Sequence, residues 1–134
     1  MSLRSRAREV ALQILFEDDA NPRQSAGELQ EFVYGRIRDE ENRKFALDLI
    51  LGVRRNRQEL DDLITKTADN WSLNRMAPTD RNSLRLGAFE ILYTETPYKV
   101  AINEAVELAK RFGGAQSAAF VNGILDKLAP EARG

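Results

Sequence analysis

The sequence predicts an all-α protein of about seven helices in one domain. Three observations carry this. Apolar residues recur at the 3.6-residue spacing of amphipathic helices, no stretch alternates with period two long enough for a sheet, and the periodic segments are separated by short capping and turn signals. A chain of 134 residues with 43% hydrophobic and 31% charged residues can enclose one substantial core. There is no internal repeat and no low-complexity linker, so short connections between helices imply an antiparallel packing.

Taken in order, the first helix runs from about Ser5 to Asp19, with Leu3, Ala7, Val10, Ala11 and Ile14 along one face, and Asn21-Pro22 ends it. Ser25-Ala26-Gly27-Glu28 is a capping-box pattern ahead of Leu29, Phe32, Val33 and Ile37. Asp39 can cap a third helix that buries Phe45, Ala46, Leu49, Ile50 and Val53. Asn56, with Glu59 three residues on, opens a fourth helix carrying Leu60, Leu63 and Ile64. After a polar stretch around Asn70-Trp71-Ser72, Pro78-Thr79-Asp80 starts a fifth that buries Leu84, Ala88, Ile91 and Leu92. Thr96-Pro97 breaks the chain. The sixth helix, from about Val100, stacks Ala101, Ala105, Leu108, Ala109 and Phe112, and Gly113-Gly114 stops it. The last helix uses Val121, Ile124, Leu125 and Leu128, with Pro130 after it.

Composition narrows the chemistry. The chain has neither Cys nor His, which excludes thiolate nucleophiles and disulfides and removes the usual general base and the commonest transition-metal ligand. Asp61-Asp62 and Glu40-Glu41 are adjacent pairs that face different directions on a helix, so neither suits a catalytic or metal pair. Gly113-Gly114 lacks the strand and lysine of a phosphate loop. No catalytic residue, metal or cofactor is expected, and a binding function gains. No run approaches the roughly 20 apolar residues of a membrane span, and the start lacks a secretory apolar stretch, so a cytoplasmic protein is expected. The formal net charge of −1 means that any affinity for nucleic acid must come from a local patch with modest salt dependence.

Arg4, Arg6 and Arg8 precede any acidic residue. The plain reading is a solvated terminus. In a helix, however, three cations would oppose the dipole at its N-terminus by roughly 0.3–1 kcal/mol each. Nothing inside the chain obviously compensates, whereas a phosphate backbone would. Phe120 lies about 100° round the last helix from its apolar stripe, by 3.6-residue periodicity, on the side shared by Gln116, Gly123 and Lys127. An aromatic off the core beside an amide and a cation can serve as a shelf for a nucleobase. Phe112, at the centre of its stripe, reads as core instead. Asn103 and Asn122 read as capping or interhelical hydrogen-bonding residues.

Two segments stand out, Pro97-Tyr98-Lys99-Val100-Ala101-Ile102-Asn103-Glu104 continuing to Gly113, and Phe120-Val121-Asn122-Gly123-Ile124-Leu125-Asp126. Arg6-Ala7-Arg8-Glu9 with Leu15-Phe16, Leu51-Gly52-Val53, and Leu84-Arg85-Leu86 with Phe89-Glu90 accompany them. Together these segments resemble the NusB family, and the matches fall in order along nearly the whole chain. The resemblance implies one NusB-like domain over residues 1–134, built as two fused antiparallel bundles, roughly 1–56 and 57–134. It also implies binding to boxA RNA jointly with NusE, a ribosomal protein that doubles as a transcription factor. The complex joins RNA polymerase and supports antitermination in ribosomal RNA operons. Tyr98 and Lys99, at the head of the most densely matched stretch, complete the candidate RNA-contacting set. Phe16, at the edge of the first helix's apolar face, and Asp80 and Arg81, in the first turn of the fifth, occupy positions that border the NusE surface in the family. Asp80 also suits a helix start as an anion, which alone could explain it.

Two other classes stay open at this point. One is a helical protein-interaction scaffold with weak or lost RNA binding, which the near-neutral charge permits. The other is the NusB-like RNA-binding domain of ribosomal RNA cytosine methyltransferases. That enzyme needs a further nucleotide-cofactor domain and a catalytic Cys, and the length of this chain favours the free factor.

Overall fold

The computed structural model describes residues 2–21 and 25–133, with side chains described as far as residue 129. Among these residues there are seven α-helices: α1 (Leu3–Ala20), α2 (Ala26–Arg36), α3 (Glu40–Arg55), α4 (Arg57–Thr67), α5 (Pro78–Tyr93), α6 (Tyr98–Gly113) and α7 (Ala115–Arg133). A single 3-10 turn, Leu73–Arg75, lies in the polar stretch before α5. The chain divides into two compact units, Met1–Gly52 and Val53–Gly134, with the division inside α3.

In the first unit, α1 starts earlier than its periodicity suggests, because the Ser2 side chain accepts a hydrogen bond from the Ser5 amide and caps the helix. Arg4 and Arg6 therefore already lie in helix. Asn21 ends α1, and Pro22 lies outside the described residues. Ala7, Val10, Ala11 and Ile14 are buried as expected, together with Leu12 and Leu15, while Leu3 is exposed. Ser25 caps α2 through the Glu28 amide, and Leu29, Val33 and Ile37 are buried. Phe32 is only half-buried, with the Arg36 guanidinium 3.6 Å from its ring centroid. Arg43 fastens the α2–α3 connection by donating to the Ile37 carbonyl at 2.6 Å and to that of Tyr34 at 3.3 Å. Asp39 caps α3 as its sequence position suggests: its carboxylate accepts from the Asn42 amide at 3.0 Å and from the Asn42 side chain at 2.7 Å.

In the second unit α5, α6 and α7 pack on one another, and α4 packs on α5 and α7. Surrounded in this way, α5 is buried continuously from Asn82 to Ile91. Its single predicted stripe understates this, since Arg85 and Glu90 are also buried, whereas Leu92 is half-buried. The buried charge of Arg85 is met by charge. The Arg85 guanidinium takes both oxygens of Asp61 on α4, at 2.8 and 3.0 Å, and donates to Asn82 at 2.9 Å. Gly87 permits the close approach of the three helices, because a Cβ there would lie 2.7 Å from a Leu125 methyl and 3.0 Å from the Ala105 Cβ. Gly114 (φ +95°) alone separates α6 from α7. Helix α6 begins at Tyr98, two residues before the expected start, and α7 continues through Pro130 to Arg133.

Candidate nucleic-acid interface

The arginines of α1 are not left uncompensated. Arg4 pairs with Glu41 at 3.0 Å, donates to Asn42 at 3.2 Å and lies 4.2 Å from the Phe45 ring centroid. Arg6 pairs with Glu9 one turn along, at 3.1 Å. These partners remove the reasoning that only a phosphate could balance the cluster. Both side chains remain 42% exposed, which leaves them reachable by a ligand. Arg8 departs from the expectation altogether. It is buried, with its guanidinium 5.1 Å from the Phe45 ring centroid, so its stem fills core space and its cation stays with the protein. A phosphate role for Arg8 is therefore withdrawn. Phe45, expected as plain core, is half-buried because it serves as the platform for these two cations.

On α7, Phe120 stands off the buried stripe of Val121, Ile124, Leu125 and Leu128, as its azimuth predicts, and is half-buried. Its ring meets Trp71 edge to face, with centroids 5.3 Å apart and planes at 76°. The two rings line a surface cleft of about 310 Å³ together with Asp69, Gly123, Ile124 and Lys127. Lys127 is exposed and reaches Asp69 at 3.7 Å. Gln116, one turn before Phe120, is exposed but is not among the residues lining the cleft. Tyr98 and Lys99, in the first turn of α6, are exposed.

Sequence alone places Trp71 within a polar stretch and gives it no role. A lone tryptophan between Asn70 and Ser72 is the one signal available, and a single apolar residue in a polar stretch is ordinary by itself. Phe112 corrects the reading in the other direction. It lies in the last turn of α6 and is 51% exposed rather than core. Periodicity fixes its azimuth but not whether a neighbouring side chain covers it. Asn103 and Asn122 are exposed.

Of the candidate partner residues, Phe16 is 46% exposed on α1. Asp80 lies in the first turn of α5, half-buried, with its Oδ1 shielded from solvent and without a hydrogen-bond donor. Arg81 is committed locally. Its Nη1 donates to the Met76 carbonyl at 2.9 Å and approaches that of Leu73 at 3.5 Å, fastening the 3-10 turn to α5, so its assignment to a partner surface is withdrawn. No cluster of His, Cys, Asp or Glu able to hold a metal occurs among the described residues, and no described helix is long and apolar enough to cross a membrane.

Comparison with known proteins agrees over nearly the whole length. The model of the NusB family matches residues 5–130. The transcription antitermination protein NusB of Desulfotalea psychrophila is 47% identical over 133 residues, covering 94% of each chain. The crystal form of T. maritima NusB superposes with a TM-score of 0.85 at 36% identity, covering 98% of this chain and 93% of that one. A chain from the structure of antitermination factors NusB and NusE in complex with dsRNA gives 0.85 at 28% identity, covering 98% of each chain. With the helical order, the α6 and α7 segments and the full-length matches in agreement, this chain belongs to the NusB family.

Proposed function

We propose that the protein is an RNA-binding transcription antitermination factor that engages boxA RNA together with NusE and supports transcription of ribosomal RNA operons. The observation that carries this is the full-length similarity to the NusB-type chain of a complex with NusE and dsRNA. The residues fit a binding protein. Arg4 and Arg6 are half-exposed cations at the start of α1, and Tyr98, Lys99, Gln116, Phe120 and Lys127 present aromatic, amide and cationic groups from α6 and α7. Arginine and lysine would take phosphates, and Phe120 would stack on a base. Phe16 is assigned to NusE, as an exposed aromatic able to anchor a partner, and Asp80 is assigned with it because its position borders the NusE surface in the family.

A site with so few exposed cations binds RNA weakly, and NusE would add contacts and pre-organisation. The test is titration of labelled boxA RNA, at near-physiological salt, with and without NusE. Affinity is expected to rise at least tenfold with NusE, and equal affinity would remove NusE from the proposal. A second reading, a protein-binding scaffold with little RNA affinity, is favoured by the burial of Arg8 and the pairing of Arg4 and Arg6. A tight complex with NusE that does not discriminate boxA from scrambled RNA would select it.

A further inference from the structure

The cleft beside Phe120 has features that a solvated surface does not require. Helix α4 ends at Thr67, and the chain then passes through two consecutive left-handed residues, Asp69 (φ 54°) and Asn70 (φ 66°). Asp and Asn tolerate this region better than other side chains, but a single left-handed residue, usually glycine, suffices to end a helix. The Asn70 amide closes the turn on the Thr65 carbonyl at 2.9 Å, and the Trp71 amide follows on that of Ala68 at 3.0 Å. The result is an indole held at the surface, 46% exposed, instead of in the core.

Gly123 is the second feature. Glycine inside a helix is unfavourable relative to alanine, and is kept where packing leaves no room for a Cβ. At Gly123 nothing lies within 4 Å of the Cβ position, so packing does not require it. Gly123 is among the residues that line the cleft, so a large side chain there would add bulk at it. The third feature is charge. Lys127 stands at the cleft with Asp69 as its counter-ion, 64% and 90% exposed respectively, an arrangement that holds the ammonium weakly and releases it readily.

We infer that Trp71 and Phe120 are two walls of a slot for one unpaired nucleobase, with Gly123 as its floor. Lys127 takes the adjoining phosphate, and Asp69 retains the lysine at the slot until RNA arrives. The inference rests on the RNA-binding reading above and gives it a specific subsite. The occupant is a base rather than a protein side chain because a half-exposed indole set at 76° to the Phe120 ring, beside a cation, offers a stacking surface and a phosphate contact together.

Trp71 is the chain's one tryptophan, so its emission reports on the slot directly. Single-stranded boxA RNA is titrated into the full chain with NusE present, and the Trp71→Phe variant supplies the background. Saturable quenching that follows binding measured by anisotropy of labelled RNA is expected. Gly123→Met should weaken RNA binding about tenfold or more, on the scale of one lost base stack, with an unchanged or higher thermal midpoint. That variant separates binding from folding. Lys127→Ala should lower the salt slope by about 0.7, Trp71→Ala should leave it unchanged, and Asp69→Asn should raise affinity about twofold. RNA binding without quenching, and undiminished by Gly123→Met, overturns the slot while leaving the proposed function standing. Quenching by NusE alone overturns it too, by assigning the cleft to a protein side chain. Absence of RNA binding by the wild-type complex overturns the slot and the proposed function together.

Discussion

The Arg85–Asp61 pair ties α5 to α4 in the second unit, and its removal can be worked through. Arg85 is 5% exposed at its side chain and Asp61 25%. Asp61→Ala strands a buried guanidinium, which in proteins costs about 3–5 kcal/mol. Asn82 still accepts one hydrogen bond from Arg85, and Asp61 is already partly solvated, so the lower end, about 3 kcal/mol, is expected. An unfolding entropy of about 2.1 cal/mol/K per residue converts this, for 134 residues unfolding cooperatively, into a fall in Tm of about 11 °C. Urea and thermal unfolding followed by circular dichroism would measure it. The double variant Asp61→Leu with Arg85→Met should recover much of the loss, because a well-packed apolar pair can replace a buried ion pair at little cost. A fall below about 3 °C for Asp61→Ala, or a double variant less stable than the single one, would refute the account of Arg85 as a charge that depends on Asp61.

Gly87→Ala should lower stability by about 1–3 kcal/mol from overpacking against Leu125 and Ala105, less the roughly 1 kcal/mol gained in helix propensity, and urea midpoints would show whether the sign is right. The Asp39 carboxyl is held below its usual value of 3.8, first by the Asn42 amide and also by the Asn42 side chain and the charge of Arg4. Its stabilising contribution is therefore present above pH about 4 and lost as pH falls through the lowered value, a dependence that Asp39→Asn should flatten in acid unfolding curves. Tyr93 is pushed up to about 12 by burial, and further by its hydrogen bond to Glu59 and the charge of that residue. The stability linked to it is full below pH about 10 and lost towards 12, and Glu59→Gln should bring the tyrosinate absorbance transition down.

Local signals carried most of the helical pattern. Ser25 and Asp39 cap the helices they were expected to cap, Asn21 ends α1, and the 3.6-residue stripes of α6 and α7 are buried apart from Phe112. What the sequence did not reveal depends on residues far away along the chain. Arg8 looks like a surface cation until Phe45, 37 positions later, supplies a ring for it to lie against. Asp61 and Arg85, 24 residues apart, each look solvated in isolation. The candidate site shows the same division. The azimuth of Phe120 was readable within one helix, but its neighbour Trp71 comes from the loop before α5, and no periodicity links the two.

The one-residue link at Gly114 also bears on how the chain folds. Helices α6 and α7 are contiguous in sequence and pack closely, so their pairing closes almost no loop and is available early, as rapid folding favours local contacts. Helix α5 is in a different position, because Arg85 has no place in a dry interior until α4 has brought Asp61 to it. An α6–α7 hairpin formed first, with α5 and α4 docking on it together, satisfies both constraints. Substitutions at the hairpin contact would then slow folding, while loss of Asp61 would chiefly speed unfolding.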